Sequence, residues 1–204
     1  WESLLGRVFH FYWRLARGMT YKNAVAGLHL GGGKSIIIGD NKTQDREKIF
    51  RAHGRFVESL GGRYITAEDV GTSTRDMDYV HMETGHVAGL AGKSGDPSPV
   101  TAHGVFRAVQ ASANRLWGTD SLEGKCVAIQ GCGSVGTYLA KELHQAGAKL
   151  IVSDIDGARA GRVSKLTGAQ IVEGDAIFSA DADIFSPCAL GGIINDTTIP
   201  KLKV

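Results

Sequence analysis

Two groups of residues in this chain have the types and spacing to do chemistry. The first is Gly131-Cys132-Gly133-Ser134-Val135-Gly136, a G-x-G-x-x-G. At that spacing Gly131 permits a tight turn, Gly133 lets backbone approach a pyrophosphate, and Gly136 lets helix and strand pack closely. The motif alone is a weak signal, and its surroundings give it weight. Residues 125–130 form a short apolar run that reads as a buried strand. Val135, Leu139 and Leu143 follow at helical spacing, and Gly147 closes that helix. Residues 149–154 are a second strand, ending in the carboxylate of Asp154. The helix start at Ser134 and Val135 offers unpaired N–H groups and a positive dipole end to phosphates. An acid about 20 residues beyond the glycines accepts hydrogen bonds from both hydroxyls of an adenosine ribose. Its charge repels a 2′-phosphate, so the pattern favours NAD over NADP.

The second group is Lys22, Lys34 and Asp69. Gly31-Gly32-Gly33-Lys34 projects an ammonium from a loop where backbone can touch a ligand. It is not a phosphate-binding P-loop, because residues 29–35 read His-Leu-Gly-Gly-Gly-Lys-Ser and a strand is predicted to follow. Asp69 lies just beyond a predicted strand at 63–66, a common place for chemistry in α/β sheets. Two lysines and a carboxylate in one cleft would work together. A lysine beside another cation, partly desolvated, has a depressed pKa and acts as a base near neutral pH. The second lysine can hold a substrate carboxylate. The alternative is a set of solvated surface lysines, and spacing alone does not bring the three together.

The elements that must position these residues are periodic. Leu4, Leu5, Val8, Tyr12, Leu15 and Ala16 share a helical face, with Gly18 as the predicted stop. Residues 35–38 and 63–66 read as strands. Residues 44–60 read as an amphipathic helix with Ile49, Ala52, Phe56, Val57 and Leu60 on one side. Thr72 or Ser73 caps a helix running to about residue 84. Residues 85–99, rich in Gly, Ser and Pro, read as a long loop, and a domain boundary is expected near 98. Beyond it come a helix at 100–116, the glycine-turn unit, a helix at 157–166, a strand at 169–172, a helical turn at 175–180 and a strand at 182–186. Leu202 and Val204 look like the start of another strand.

Composition sets outer bounds. The chain has 204 residues, of which 43% are hydrophobic and 22% charged, so it can bury a core. A net charge of +2 gives no electrostatic argument for nucleic acid or membrane. Cys126, Cys132 and Cys188 lack C-x-x-C spacing and suggest free thiols in a reducing, cytoplasmic compartment. The seven histidines show no metal-ligand spacing, so no metal site is expected. The first residue is Trp1, and a fragment is expected.

Five motifs then carry a resemblance. They are Met19-Thr20-Tyr21-Lys22-Asn23-Ala24, Gly27-Leu28 with Gly31-Gly32-Gly33-Lys34, Tyr64-Ile65-Thr66-Ala67-Glu68-Asp69-Val70-Gly71, Gly95-Asp96-Pro97-Ser98-Pro99-Val100-Thr101 and Pro187-Cys188-Ala189-Leu190-Gly191. In order and spacing the chain resembles the leucine/phenylalanine/valine branch of the amino-acid dehydrogenases, from about Leu15 onward. Residues 1–14 depart from that pattern, being aromatic and basic where the family is acidic and alanine-rich.

The resemblance implies an α/β fold of two domains, an α/β substrate domain at 1–98 and a Rossmann domain at 99–204, each incomplete. It implies reversible, NAD-dependent oxidative deamination of an apolar L-amino acid, leucine or valine first, to the 2-oxo acid and ammonia. The implied catalytic residues are Lys34, activating water, and Asp69, exchanging protons with the amino group. Lys22 would bind the substrate carboxylate, and Ala67 would also contact substrate. Thr101 would lie near the nicotinamide, with Cys188 and Ala189 beneath the cofactor. Gly131, Gly133, Ser134, Val135, Gly136 and Asp154 would hold the rest of NAD. A homo-oligomer is implied for the full-length protein. The rival readings are a truncated, non-catalytic nucleotide-binding chain and another NAD-linked dehydrogenase of the Rossmann class.

Overall fold

The computed structural model describes residues 4–40 and 42–204, with the side chains of residues 4, 5 and 7 outside the description. Trp1 and the predicted roles of the Leu4 and Leu5 side chains therefore lie outside the described residues. The chain divides into two compact units, Trp1–Asp96 and Pro97–Val204.

In the first unit, helix α1 spans Leu4–Val25 and runs straight through Gly18. An interior glycine costs a helix only about 1 kcal/mol, so it is a weak stop. The true stop is Gly27, at φ +70°. The Gly27 N–H donates to Ala24 O at 3.1 Å and the Leu28 N–H to Asn23 O at 2.9 Å, a Schellman closure. Helix α2 (Arg46–Ser59) buries Phe50, Gly54 and Val57. That stripe is rotated from the expected one, and Phe56 is 74% exposed. Gly54 explains the rotation. A Cβ there would stand 2.8 Å from Val80 O and 2.9 Å from Glu83 Cβ, so the glycine is where α2 meets helix α3 (Thr74–His81). Ser73 caps α3 in a capping box with Asp76. Phe50, Met77, Val80 and Leu90 form the core between these elements.

The strands expected at 35–38 and 63–66 do not form ladders. Both segments lack helix, and their pairing is limited to a parallel bridge of Thr66 with Val87. β-Branched residues favour extended backbone, but a strand also needs a partner for its N–H and C=O groups, which local pattern does not encode.

The second unit begins with helix α4 (Ser98–Trp117), which ends at Gly118 with φ +72°. Strands β1 (Cys126–Gln130), β2 (Lys149–Ser153), β3 (Gln170–Ile171) and β4 (Ile184–Pro187) form one parallel sheet in the order β3-β2-β1-β4. The register runs from Cys126 opposite Lys149 to Gln130 opposite Ser153. Helix α5 (Ser134–Gln145) connects β1 to β2, and helix α6 (Gly157–Thr167) connects β2 to β3. Val127, Ile129, Leu139, Leu143 and Val152 are fully buried between sheet and helices. A 3-10 turn at Gly174–Ser179 supplies Ile177 and Phe178 to a second cluster, on which Leu202 packs. Residues 202–204 form no ladder, contrary to the strand expected there. The strand order reverses between β1 and β4, and ligands of open α/β sheets bind at the carboxyl ends of strands at such a switch point.

Candidate active site

The glycine run in the first unit lies against α1. A Cβ on Gly32 would collide with Ala16 O and Thr20 Oγ1 and stand 2.5 Å from Thr20 N. A Cβ on Gly33 would stand 2.8 Å from the Tyr64 ring. Asn23 Nδ2 donates to Gly31 O at 2.7 Å, and the Tyr64 hydroxyl donates to Ser35 Oγ at 3.1 Å. Lys34 thus leaves a loop held on both sides. Its Nζ donates to Asp69 Oδ2.

Asp69 is held just as firmly. Its Oδ1 accepts the Val70 N–H at 2.7 Å, and its own N–H donates to Thr72 Oγ1 at 2.8 Å. The Thr72 hydroxyl donates to Asp69 O at 2.7 Å. Gly71, at φ +81°, closes the turn in a region that disfavours other residues.

Burial, and then the charge of Lys22, hold the Lys34 ammonium below its ordinary range. The structure therefore brings Lys34 and Asp69 into contact and sets Lys22, in the last turn of α1, close enough to act on Lys34. Ala67 is exposed two residues before Asp69. Glu68, next to Asp69, is pushed up by burial and by the carboxylates of Asp96 and Asp76.

In the second unit the glycine turn joins β1 to α5. Gly131 has φ +97°, and a Cβ there would stand 2.6 Å from Ala189 N and 2.7 Å from the Cys188 carbonyl carbon. The turn after β1 and the loop after β4 therefore meet at the switch point. A Cβ on Gly136 would collide with Gly131 O and stand 3.5 Å from Cys188 Cβ. Gly133 has open space, with nothing within 4 Å of a Cβ position. It is the N-cap of α5 with no side-chain cap bond, and no acid occupies the first turn of Ser134, Val135 and Gly136. This is an anion-accepting helix start with room beside it, which fits a pyrophosphate. Asp154, after β2, accepts the Cys132 N–H at 2.7 Å and the Asp156 N–H at 2.8 Å. Both oxygens keep further acceptor capacity for ribose hydroxyls. These features fit NAD.

Burial first, then the nearby Asp154 carboxylate, push the Cys132 thiol up to about 11, so it is inert filler. Thr101 sits in the first turn of α4, where its hydroxyl donates to Pro97 O at 3.0 Å. Among the described residues no cluster of His, Cys, Asp and Glu could hold a metal. No helix among them is long and apolar enough to cross a membrane.

Sequence reading missed the residues that hold the site. Asn23, Tyr64 and Arg46 carried no chemical signal of their own, and Thr72, one of the two expected helix caps, instead closes the turn on Asp69 while Ser73 caps. The Ser73-x-x-Asp76 spacing was readable as a capping box, and it marks where Asp76 must stand. Arg46, which pairs with Asp76 across thirty residues of sequence, has no local signature.

Fold and geometry define an α/β protein whose second unit carries a glycine turn and helix start with room for a dinucleotide phosphate, and whose first unit carries a lysine–aspartate pair. Residues 11–86 match the family model described as Glu/Leu/Phe/Val dehydrogenase, dimerisation domain. Residues 92–160 match the one described as Glutamate/Leucine/Phenylalanine/Valine dehydrogenase. The chain belongs to the Glu/Leu/Phe/Val dehydrogenase family. A leucine dehydrogenase from Geobacillus stearothermophilus is 56% identical over 193 residues, covering 93% of this chain and 53% of that protein. One from Thermoactinomyces intermedius is 58% identical with the same coverage, 93% and 53%. The crystal structure of L-tryptophan dehydrogenase from Nostoc punctiforme matches with a TM-score of 0.72 at 43% identity, over 97% of this chain and 56% of that one. A hetero-hexameric glutamate dehydrogenase from Thermus thermophilus shares the fold, with a TM-score of 0.76 at 23% identity over 93% of this chain and 53% of that one. The chain spans about half the length of the curated relatives it matches.

Proposed function

We propose that this chain carries the active site of an NAD-dependent amino-acid dehydrogenase. The reaction is reversible oxidative deamination of an apolar L-amino acid, leucine or valine first, to the 2-oxo acid and ammonia. One observation carries the reading: Lys34 and Asp69 in contact, with the Lys22 charge acting on Lys34. The similarity to leucine dehydrogenases supports the substrate class. Residues 1–98 form the substrate domain and 99–204 the NAD domain of this proposal.

The Lys22 ammonium holds the substrate carboxylate, and small Ala67 leaves room beside it. When bound, NAD supplies the acceptor for the hydride that leaves the substrate Cα. Gly131, Gly133, Ser134, Val135 and Gly136 would hold its pyrophosphate, and Asp154 its ribose. Thr101, Cys188 and Ala189 would hold its nicotinamide end. Lys34, its neutral form favoured by burial and by Lys22, takes a proton from the water that attacks the substrate iminium carbon. Asp69 exchanges a proton with the amino group. The proposal places the protein in the reducing cytoplasm, where its three cysteines stay free, and as a homo-oligomer.

NADH formation from L-leucine and L-valine by the purified chain tests this. Lys34→Ala is expected to lower kcat by about 100-fold or more, the scale of a general base. Full activity in Lys34→Ala overturns the mechanism. NAD binding without turnover of any apolar amino acid overturns the enzymatic reading and leaves a nucleotide-binding chain.

A further inference from the structure

We propose that Arg46 is a positioning residue for the Lys34–Asp69 pair and acts through the turn at 69–72. The proposal rests on the dehydrogenase reading for what the pair does, and on geometry for the positioning itself. The guanidinium stands at the first turn of α2 and spans two anchors. Arg46 Nε donates to Asp76 Oδ1 at 2.8 Å and Nη2 to Asp76 Oδ2 at 2.7 Å. The same Nη2 donates to Gly71 O at 2.9 Å.

Asp76 is a fixed post. It is 2% exposed, and its Oδ2 also accepts the Ser73 N–H and the Ser73 hydroxyl, each at 2.7 Å. Burial pushes this carboxyl up, but the Arg46 and Ser73 hydrogen bonds outweigh it and hold the group ionised. Gly71 lies inside the turn that Thr72 closes on Asp69. Within that turn the Val70 N–H occupies Asp69 Oδ1, which leaves Oδ2 aimed at Lys34. Direct contacts thus run from buried Asp76 through Arg46 and the Gly71 carbonyl to the turn, and from the turn through Asp69 to Lys34.

A forked guanidinium is needed here. A lysine ammonium is a point charge and cannot hold both carboxylate oxygens and a carbonyl in fixed geometry. A purely structural Arg46 would only tie α2 to α3, and its loss would leave Lys34 unchanged. Arg51 provides the contrast. It lies on the same helix but pairs with Glu83 at 2.7 Å and Glu47 at 3.4 Å.

The test reads Lys34 directly, without turnover. Competitive acylation of the chain with acetic anhydride across pH, quantified at Lys34 by mass spectrometry, gives the midpoint of its deprotonation. Asp69→Asn removes the carboxylate that favours the ammonium and is expected to move the midpoint to lower pH. Arg46→Gln is expected to move it the same way, Arg46→Lys by less, and Arg51→Gln not at all. In turnover, Arg46→Gln is expected to lower kcat by about 10- to 100-fold, the cost of a misplaced catalytic group, with a smaller change in KM. A wild-type midpoint in a folded but less stable Arg46→Gln overturns the proposal. If Arg46→Gln does not fold, Arg46→Lys decides: a wild-type midpoint there overturns it, and a lowered one supports it. A lowered midpoint in a chain that turns over no amino acid supports the positioning and sinks the dehydrogenase reading alone.

Discussion

Lys34 stands under influences of opposite sign. Burial and the neighbouring Lys22 ammonium favour its neutral form, and the Asp69 carboxylate favours the charged one. In the proposed reaction the neutral amine accepts the proton, so kcat/KM for amino-acid oxidation rises with pH through the Lys34 pKa. That pKa lies below the 10.5 of a free lysine. Replacing Lys22 by Met removes a positive charge from beside Lys34, which favours the ammonium and raises the pKa. The rising limb of kcat/KM against pH should then move to higher pH. The loss of carboxylate binding lowers the whole curve and does not move the limb, so position and height report separate roles. A limb that stays in place or moves to lower pH would show that Lys22 does not tune Lys34.

Elements set these residue properties by bringing loops close to rigid supports. Gly32 rests where a Cβ would collide with Ala16 O and Thr20 Oγ1 of α1. Gly32→Ala must push the loop off the helix, and Lys34 moves with it. The expected cost is about 1–3 kcal/mol of stability, as for overpacking elsewhere, together with loss of turnover. Urea unfolding paired with kinetics checks this, and a variant with unchanged midpoint and kcat would show the loop free to shift. Legibility in the sequence divides along the same line between local and long-range causes. The β1–α5–β2 unit was readable because a buried run, a glycine turn and an amphipathic helix are each local patterns. The strands at 35–38 and 63–66 were not, because a ladder depends on a distant partner. The face of α2 was misread because Gly54 carries no hydrophobic signal, yet its missing side chain is what lets α3 approach. The types of Lys22, Lys34 and Asp69 made them candidates in the sequence, and the structure puts Lys34 against Asp69. The Asn23, Tyr64 and Arg46 contacts that hold them were not, since each bridges residues 8 to 30 apart whose pairing only the fold creates.

At the scale of the molecule, two units with separate cores should respond to different agents. In the proposed reaction NAD is held by the second unit, and at 100 times its Kd it would stabilise that unit by about 2.7 kcal/mol. Acid should act on the first unit through His53, whose Nε2 lies 3.2 Å from Thr66 Oγ1 between α2 and the segment leading to Asp69. Burial lowers the His53 pKa below its ordinary 6.5. In the folded chain this histidine is neutral at pH values where the unfolded chain already binds a proton. The stability it contributes is therefore present above about pH 6.5 and is lost as pH falls through the lower folded value. The loss has a slope of at most about 1.4 kcal/mol per pH unit for one proton. Glu68 works in the other direction, since a raised carboxyl pKa stabilises the fold as pH falls. A His53→Gln variant, which keeps a hydrogen-bonding group toward Thr66, separates the two. Hydrogen exchange followed by mass spectrometry between about pH 7 and about pH 5, corrected for intrinsic rates, should show residues 46–88 losing protection while residues 126–153 keep theirs. The His53→Gln chain should lose less protection over the same range. If it loses as much as the wild type, burial of His53 is not the source of acid sensitivity. If both units lose protection together, the two cores are coupled and do not unfold independently.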